Sequence, residues 1–290
     1  MAIPAYREHR YQSKDGLTLF ARDYACEGQE RGTVLCMHGL TRNSADFETI
    51  VPTLVKEHRV IAADQRGRGR SAYDANAANY HPGTYVEDMF CLLDSLNVDR
   101  VILFGTSMGG LMATMMKAIQ PDRFSALIIN DICPDIAPQG LARIMGYVGA
   151  SGTFDDWDEA IKELKRLNAS VFPHMDEEGW RTFAKCIFIE TPDHKLRFDY
   201  DPKIQQALKA NQDNAAPPDL WPLFQSAADV PMMLIHGEIS DLLDAAGVKK
   251  FKSLVPHLEY LNVKGVGHAP LLNEPEVAPA VLEFLRKIEG

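Results

Sequence analysis

Ser107 stands in Gly105-Thr106-Ser107-Met108-Gly109, directly after the apolar run Val101-Ile102-Leu103-Phe104 and at the start of a helical pattern. Glycine at each second neighbour suits a turn so sharp that side chains there would collide, and a serine at its apex projects its hydroxyl away from the chain. The start of a helix adds unpaired N–H groups and the positive end of the helix dipole, which favour developing negative charge. A serine hydroxyl becomes a nucleophile when a base takes its proton, and the base needs an acid to hold it. Nine histidines are available. His268, in Val266-Gly267-His268-Ala269-Pro270, follows the last apolar run and precedes the last helical pattern. His257 lies at the wrong end of that run, His236 ends the run before it, and His174 and His194 fall where no such rhythm exists. Ser107 is thus a candidate nucleophile for an acyl transfer, and His268 a candidate for its base.

These residues need a scaffold, and the rest of the sequence supplies one. Residues 7–25 alternate in character around Asp15-Gly16 and read as an antiparallel hairpin. Short apolar runs follow at 33–37, 60–63, 101–104, 126–129, 231–235 and 258–263. Runs this short and uniformly apolar suit parallel strands buried on both faces. Helical patterns at 47–57, 84–96, 107–119, 244–254 and 274–288 lie between and after them, so the expected fold is α/β, a mostly parallel twisted sheet flanked by helices. Met112, Met115 and Met116 on the third of these helices read as core filling.

The rhythm stops between about 134 and 226, a stretch that holds Trp157, Trp180 and Trp221 and helical segments at 156–167 and 178–188. Pro217-Pro218 and Pro222 mark its exit. The expected division is a core of residues 1–134 and 227–290 with a helical cap over 135–226. Such a cap would lie above the carboxyl ends of the strands, where open α/β sheets bind ligands.

Composition narrows the partners. A net charge of −10 over 290 residues argues against nucleic acid and against an anionic membrane surface. The 46% hydrophobic content excludes intrinsic disorder. Five cysteines at wide spacings, with no C-x-x-C pair, suggest neither a zinc site nor a disulfide framework. The first residues lack the apolar core of a signal peptide, and no window reaches the length of a membrane span. A cytoplasmic monomer or homodimer acting on a small molecule is the expectation.

Met37-His38-Gly39-Leu40, after the 33–37 run, and Asp64-Gln65-Arg66-Gly67-Arg68-Gly69-Arg70-Ser71, after the next, extend the pattern. Together with the Ser107 segment, the chain resembles the α/β-hydrolase superfamily, in particular its capped, cofactor-independent serine esterases and lactonases. The resemblance implies that His38-Gly39 opens an oxyanion loop, with the backbone N–H groups of Leu40 and Met108 holding the oxyanion. It gives the segment 64–71 a structural role, and it implies no cofactor and no metal. It also implies the chain order nucleophile, acid, histidine, which makes His268 the base. Gly237-Glu238-Ile239-Ser240-Asp241 is similar to the superfamily's acid loop and makes Asp241 the expected acid. Asp131, in Ile129-Asn130-Asp131, is the second candidate, because some members carry the acid there. Glu238 and Asp244 are weaker rivals.

The activity implied is hydrolysis of an ester or lactone of a small, apolar substrate through an acyl-enzyme on Ser107. Two alternatives stay open. One is a carbon–carbon hydrolase of ring-cleavage products, although Ala269 replaces the tryptophan common after the histidine in that group. The other is a slow-turnover small-molecule receptor on the same scaffold. In the cap, Trp157, Trp180, Phe154, Phe172 and Met145 are candidates either for a pocket lining or for the cap's own core. Arg143 and Arg181 are candidates for binding a carboxylate or for solvated surface positions.

Overall fold

The computed structural model describes residues 2–212 and 219–289. The chain opens with β1 (Arg7–Gln12) and β2 (Thr18–Tyr24), then alternates through β3 (Gly32–Met37), α1 (Val51–Leu54), β4 (His58–Asp64), α2 (Pro82–Ser95), β5 (Val101–Thr106), α3 (Met108–Ile119) and β6 (Phe124–Asn130). The interruption holds α4 (Pro138–Tyr147), β7 (Thr153–Phe154), α5 (Trp157–Asn168), α6 (Glu177–Ile187), β8 (Phe188–Glu190), β9 (Leu196–Phe198), α7 (Ile204–Gln212) and α8 (Trp221–Ser226). The alternation resumes with β10 (Met232–Gly237), α9 (Ala245–Leu254), β11 (Glu259–Val263) and α10 (Val277–Glu289). Pro217-Pro218, expected to mark the exit of the insertion, lie outside the described residues.

The main sheet has the order β1-β2-β4-β3-β5-β6-β10-β11. The hairpin and the β2–β4 pair are antiparallel and the other pairs are parallel. The uniformly apolar runs are explained by burial on both faces. Leu35, Leu103, Leu127 and Leu234 pack on one face against α2, α3 and α9, whereas Val34, Ile102, Ile128 and Met233 pack on the other against α1 and α10. Each such side chain contributes about 1.5–3 kcal/mol on burial, and every second residue of each strand serves a different layer.

One expectation is corrected. The helix expected over 47–57 is reduced to Val51–Leu54, preceded by a 3₁₀ turn at Ser44–Phe47. Pro52 sits in the first turn of α1, where its missing N–H is tolerated; an earlier start would press its ring on the carbonyl four residues back. The insertion is mainly helical, as expected, and also holds three short strands. Its strands form an antiparallel sheet in the order β7-β9-β8. Phe154, Phe188 and Phe198 stack across it, with centroids 5.4 Å apart for Phe154 and Phe188 and 4.7 Å for Phe188 and Phe198. Strands this short carry too little alternation to register as a period in sequence.

The end of this sheet is tied to the loop after β4. Tyr200 forms an isolated antiparallel bridge with Arg68, Gly69 N–H donates to Asp199 O (3.2 Å), and Asp201 N–H donates to Gly67 O (2.8 Å). Asn43 Nδ2 donates to both Cys186 O and Asp199 Oδ2, each at 3.0 Å. Burial first, and then the negative charge of Asp64, raise the Asp199 pKa to about 6.

An ordinary aspartate titrates near ~4, so between about pH 4 and pH 6 the folded chain holds a proton that the unfolded chain has released. The stability this group contributes is whole below that window and lost as pH rises through it. Asp199→Asn is therefore expected to raise Tm at pH 8 and to leave it nearly unchanged at pH 4. An equal change at both pH values would refute the assignment.

Candidate active site

Ser107 lies between β5 and α3 with φ of 53°, a left-handed conformation unusual for a residue with a side chain. The flanking glycines make the turn possible. A Cβ on Gly105 would lie 2.2 Å from the backbone carbon of Gly109, and one on Gly109 would lie 2.0 Å from Met37 O. Ser107 N–H donates to Asn130 O (2.9 Å), and Ser107 O accepts from Gly110 N–H (2.8 Å). The second bond fixes the peptide that carries the Met108 N–H, because C=O and N–H of one trans peptide point opposite ways.

The structure brings His268 to Ser107, with Nε2 2.9 Å from Oγ. The other ring nitrogen, Nδ1, lies 2.9 Å from Oδ2 of Asp131, not of Asp241. A carboxylate accepts, so Nδ1 carries the ring proton and Nε2 accepts from the serine hydroxyl. Asp131 is fully buried and follows β6 with φ of 59°, a conformation that aspartate tolerates better than most residues. Its Oδ1 accepts from Gly237 N–H (2.9 Å), and its Oδ2 also accepts from Ser240 Oγ–H (2.7 Å).

This corrects the expected placement of Asp241. The loop after β10 does approach the histidine, but the residue that turns inward is Ser240. Asp241 turns towards the cap, where Arg143 on α4 grips it side-on through Nε (2.6 Å) and Nη2 (2.9 Å). Burial raises the Asp241 pKa, but the hydrogen bonds and charge of Arg143 outweigh it and hold the carboxyl below its ordinary range. A shift of one residue in a turn redirects the side chain, and sequence spacing alone does not resolve it. Two signals pointed the other way: a second carboxylate at the end of β6, and a serine beside the expected acid. Glu238, a weaker rival, accepts from Gly265 N–H at 2.9 Å; Asp244 caps α9 through Gly247 N–H at 2.8 Å.

Leu40 lines the same cleft as Ser107 and His268. Its peptide is fixed from behind. Gln65 N–H donates to His38 Nε2 (3.1 Å), so His38 Nδ1–H donates to Gly39 O (2.7 Å). Gly39 O and Leu40 N–H share one peptide plane, so this bond sets the direction of the N–H. Burial holds the His38 pKa well below its ordinary value, which keeps the ring neutral and the tautomer single. Arg68 Nε donates to Leu40 O at 2.8 Å. Asp64 accepts from Ser44 N–H (2.7 Å) and Arg70 N–H (2.8 Å), and Arg66 forks onto Asp88 with two bonds of 2.7 Å. The segment 64–71 thus locks loops, in the structural role implied for it.

The cleft walls come from the core and the cap together. Leu164, Leu167, Phe172, Phe183, Ile187 and Phe198 supply apolar surface. Of the cap aromatics singled out in sequence, Phe172 reaches the cleft, while Trp180 packs beneath it at 6.3 Å between centroids and Trp157 is 37% exposed. Arg143 lines the cleft; Arg181 is exposed and pairs with Asp158. Sequence reading missed Arg42 and Tyr147, which also line it. Arg42 stands two residues after Leu40, and that nearness was the available signal.

Comparison with known proteins places the chain in a family. Residues 32–275 match the family described as alpha/beta hydrolase fold. The chain is 33% identical over 248 residues to a 3-hydroxybutyrate-oligomer hydrolase of Cupriavidus necator, covering 83% of this chain and 84% of that protein. It is 29% identical over 262 residues to a 2-(acetamidomethylene)succinate hydrolase of Mesorhizobium japonicum, covering 89% and 90% respectively. A crystal structure of an alpha/beta hydrolase from Novosphingobium aromaticivorans superposes with a TM-score of 0.92 at 36% identity, over 99% of this chain and 100% of that one. The chain is a hydrolase of the α/β hydrolase fold family.

Proposed function

We propose that this protein is a serine hydrolase that cleaves a carboxylic ester or lactone through an acyl-enzyme on Ser107, with His268 as base and Asp131 as the acid. The observation that carries the reading is the unbroken chain from Ser107 Oγ through His268 to the buried Asp131 carboxylate, at 2.9 Å on each side of the ring. As Ser107 Oγ bonds to the substrate carbonyl carbon, its proton passes to His268 Nε2. The carbonyl oxygen gains negative charge and takes the N–H groups of Leu40 and Met108. Asp131 steadies the imidazolium through Nδ1–H. His268 then delivers the proton to the departing alcohol oxygen as the carbon–oxygen bond breaks. Water, deprotonated by His268, releases the acid and returns Ser107 to its starting state. A relative named for 3-hydroxybutyrate oligomers supports an ester as the scissile bond.

Turnover of short p-nitrophenyl esters, lactones and a vinylogous ring-cleavage diketone provides the test. Ser107→Ala is expected to abolish ester turnover while keeping the fold. Asp131→Asn is expected to cost on the order of 10⁴-fold in kcat, as loss of the orienting acid does in other triads, and Asp241→Asn less than about tenfold. The reverse order would return the acid role to Asp241. Activity on the diketone alone would move the protein to carbon–carbon hydrolysis.

Ser240 is the positioning residue of this arrangement, since its hydroxyl shares Oδ2 of Asp131 with the imidazole. Loss of one hydrogen bond to a carboxylate is worth about 1.5–3 kcal/mol, so Ser240→Ala is expected to lower kcat about 10- to 100-fold with little change in KM. Ser240→Thr, which keeps a hydroxyl, is expected to recover most of the loss. A fall in KM and kcat alike that threonine fails to rescue would mean a purely structural role.

A further inference from the structure

We infer that the cleft takes an ester carrying a free carboxylate, and that the acid group is received by a polar wall made of Arg143, Tyr147 and Arg42. This rests on the hydrolase reading above and names its substrate class.

The cleft surface is mostly apolar, with Thr41, Thr49, Asn168, Thr182 and Tyr200 among its uncharged polar side chains, so two guanidinium groups on its wall require an explanation. Both are gripped in the same way. Arg143 gives Nε and Nη2 to Asp241, and Arg42 gives Nε and Nη2 to Asp46. In each case the Nη1 amine stays outside the fork. The two side chains are only 17% and 16% exposed. Arg42 is further fixed by the ring of Phe183, with its guanidinium carbon 4.5 Å from the centroid. Tyr147 stands one helical turn after Arg143 on α4, beside that guanidinium and within electrostatic reach of Arg42. Burial raises the pKa of the phenol, which keeps it a neutral donor.

The cleft therefore presents preformed N–H and O–H donors in a pocket whose surface is otherwise mostly aliphatic and aromatic, with a few threonine and asparagine side chains. A wholly apolar ester filling the cleft would strip water from these donors and offer nothing in return, at about 1–3 kcal/mol for each stranded group. A carboxylate satisfies several of them at once through charge-assisted bonds. Asp241 clamps Arg143 from outside the cleft lining, whereas Asp46 lines the cleft beside Arg42; both set geometry while moderating the positive charge.

The two partners of the Arg143–Asp241 pair give the inference its test. If the pair were only a strut between cap and core, breaking it from either side would have the same effect. If Arg143 receives a substrate acid, the two breaks have opposite effects. Removing Asp241 releases the guanidinium and removes a like charge, whereas removing Arg143 deletes the receptor.

The experiment measures kcat/KM on two matched pairs of short esters, each ending in a carboxylate or in the isosteric carboxamide. The acid stands on the alcohol side in 3-butanoyloxybutanoate and on the acyl side in monophenyl adipate. Wild-type enzyme is expected to prefer the acid at least tenfold in one pair. Arg143→Gln is expected to reduce that ratio to threefold or less, and Asp241→Asn to hold or increase it. Each ratio is internal to one variant, so partial unfolding cancels. Turnover with no acid preference in either pair, or the same fall in ratio for both variants, would overturn the inference alone. Absence of any Ser107-dependent turnover would overturn it together with the hydrolase reading.

Discussion

An imidazole can meet a serine on one nitrogen and a carboxylate on the other only when three separate pieces of chain end within a few ångströms of one another. Here those pieces are the ends of β5 and β6 and the loop after β11, and the parallel sheet aligns them. β5 and β6 are adjacent and in register up to Thr106 and Asn130, so the residues that follow, Ser107 and Asp131, leave the sheet side by side. Asn130 fastens the third piece. Its amide donates to Thr106 Oγ1 (3.2 Å) and to Pro270 O (2.9 Å), linking the serine turn to the histidine loop. The cap adds a further hold, since Gly267 N–H donates to Val171 O at 2.7 Å. The position of His268 is thus set by core and cap together.

The turn at Ser107 stores strain, and the surrounding packing over-determines it. Glycine at 105 and 109 lets the backbone of the turn touch itself and the end of β3, so the loop that begins at His38 passes directly beside the serine. The rest of that loop is held from the far side by buried groups: neutral His38 on Gly39 O, and Arg68 on Leu40 O. Arg68 also belongs to the strand-like contact with Tyr200, so one arginine joins the loop at Leu40 to the inserted region. The polar groups along 64–71 are costly to bury singly and are tolerable because nearly all of them find partners.

Much of this was legible in sequence, for a physical reason. Strands buried on both faces must be continuously apolar, and a strained serine turn must carry its glycines. The main sheet, its flanking helices and the Ser107 turn were therefore readable from residue type and spacing, and the choice of His268 drew also on the chain order that the family resemblance implies. What was not legible depended on direction rather than type. Whether residue 240 or 241 points inward is decided by the turn after β10, and both side chains are polar. The small cap sheet eluded the reading because strands of two or three residues leave no period to detect. Arg42 and Tyr147 were missed because a lone polar residue in sequence says nothing about which wall of a cleft it will face.

The misplaced acid is instructive about how carboxylates divide labour. Asp241 is gripped side-on by a guanidinium, and a carboxylate so engaged has its best lone pairs occupied and its charge offset. It would make a poor partner for an imidazole that must bear positive charge transiently. Asp131 has no cation on it among the described residues; its partners are a backbone N–H, a hydroxyl and the ring itself. Neutral donors hold the carboxylate in place and leave its charge directed at His268. The same loop serves both arrangements, with Ser240 turned in to steady Asp131 and Asp241 turned out to hold Arg143 at the cleft wall. One residue of offset separates the side chain that supports the histidine's partner from the one that clamps an arginine on the cleft wall.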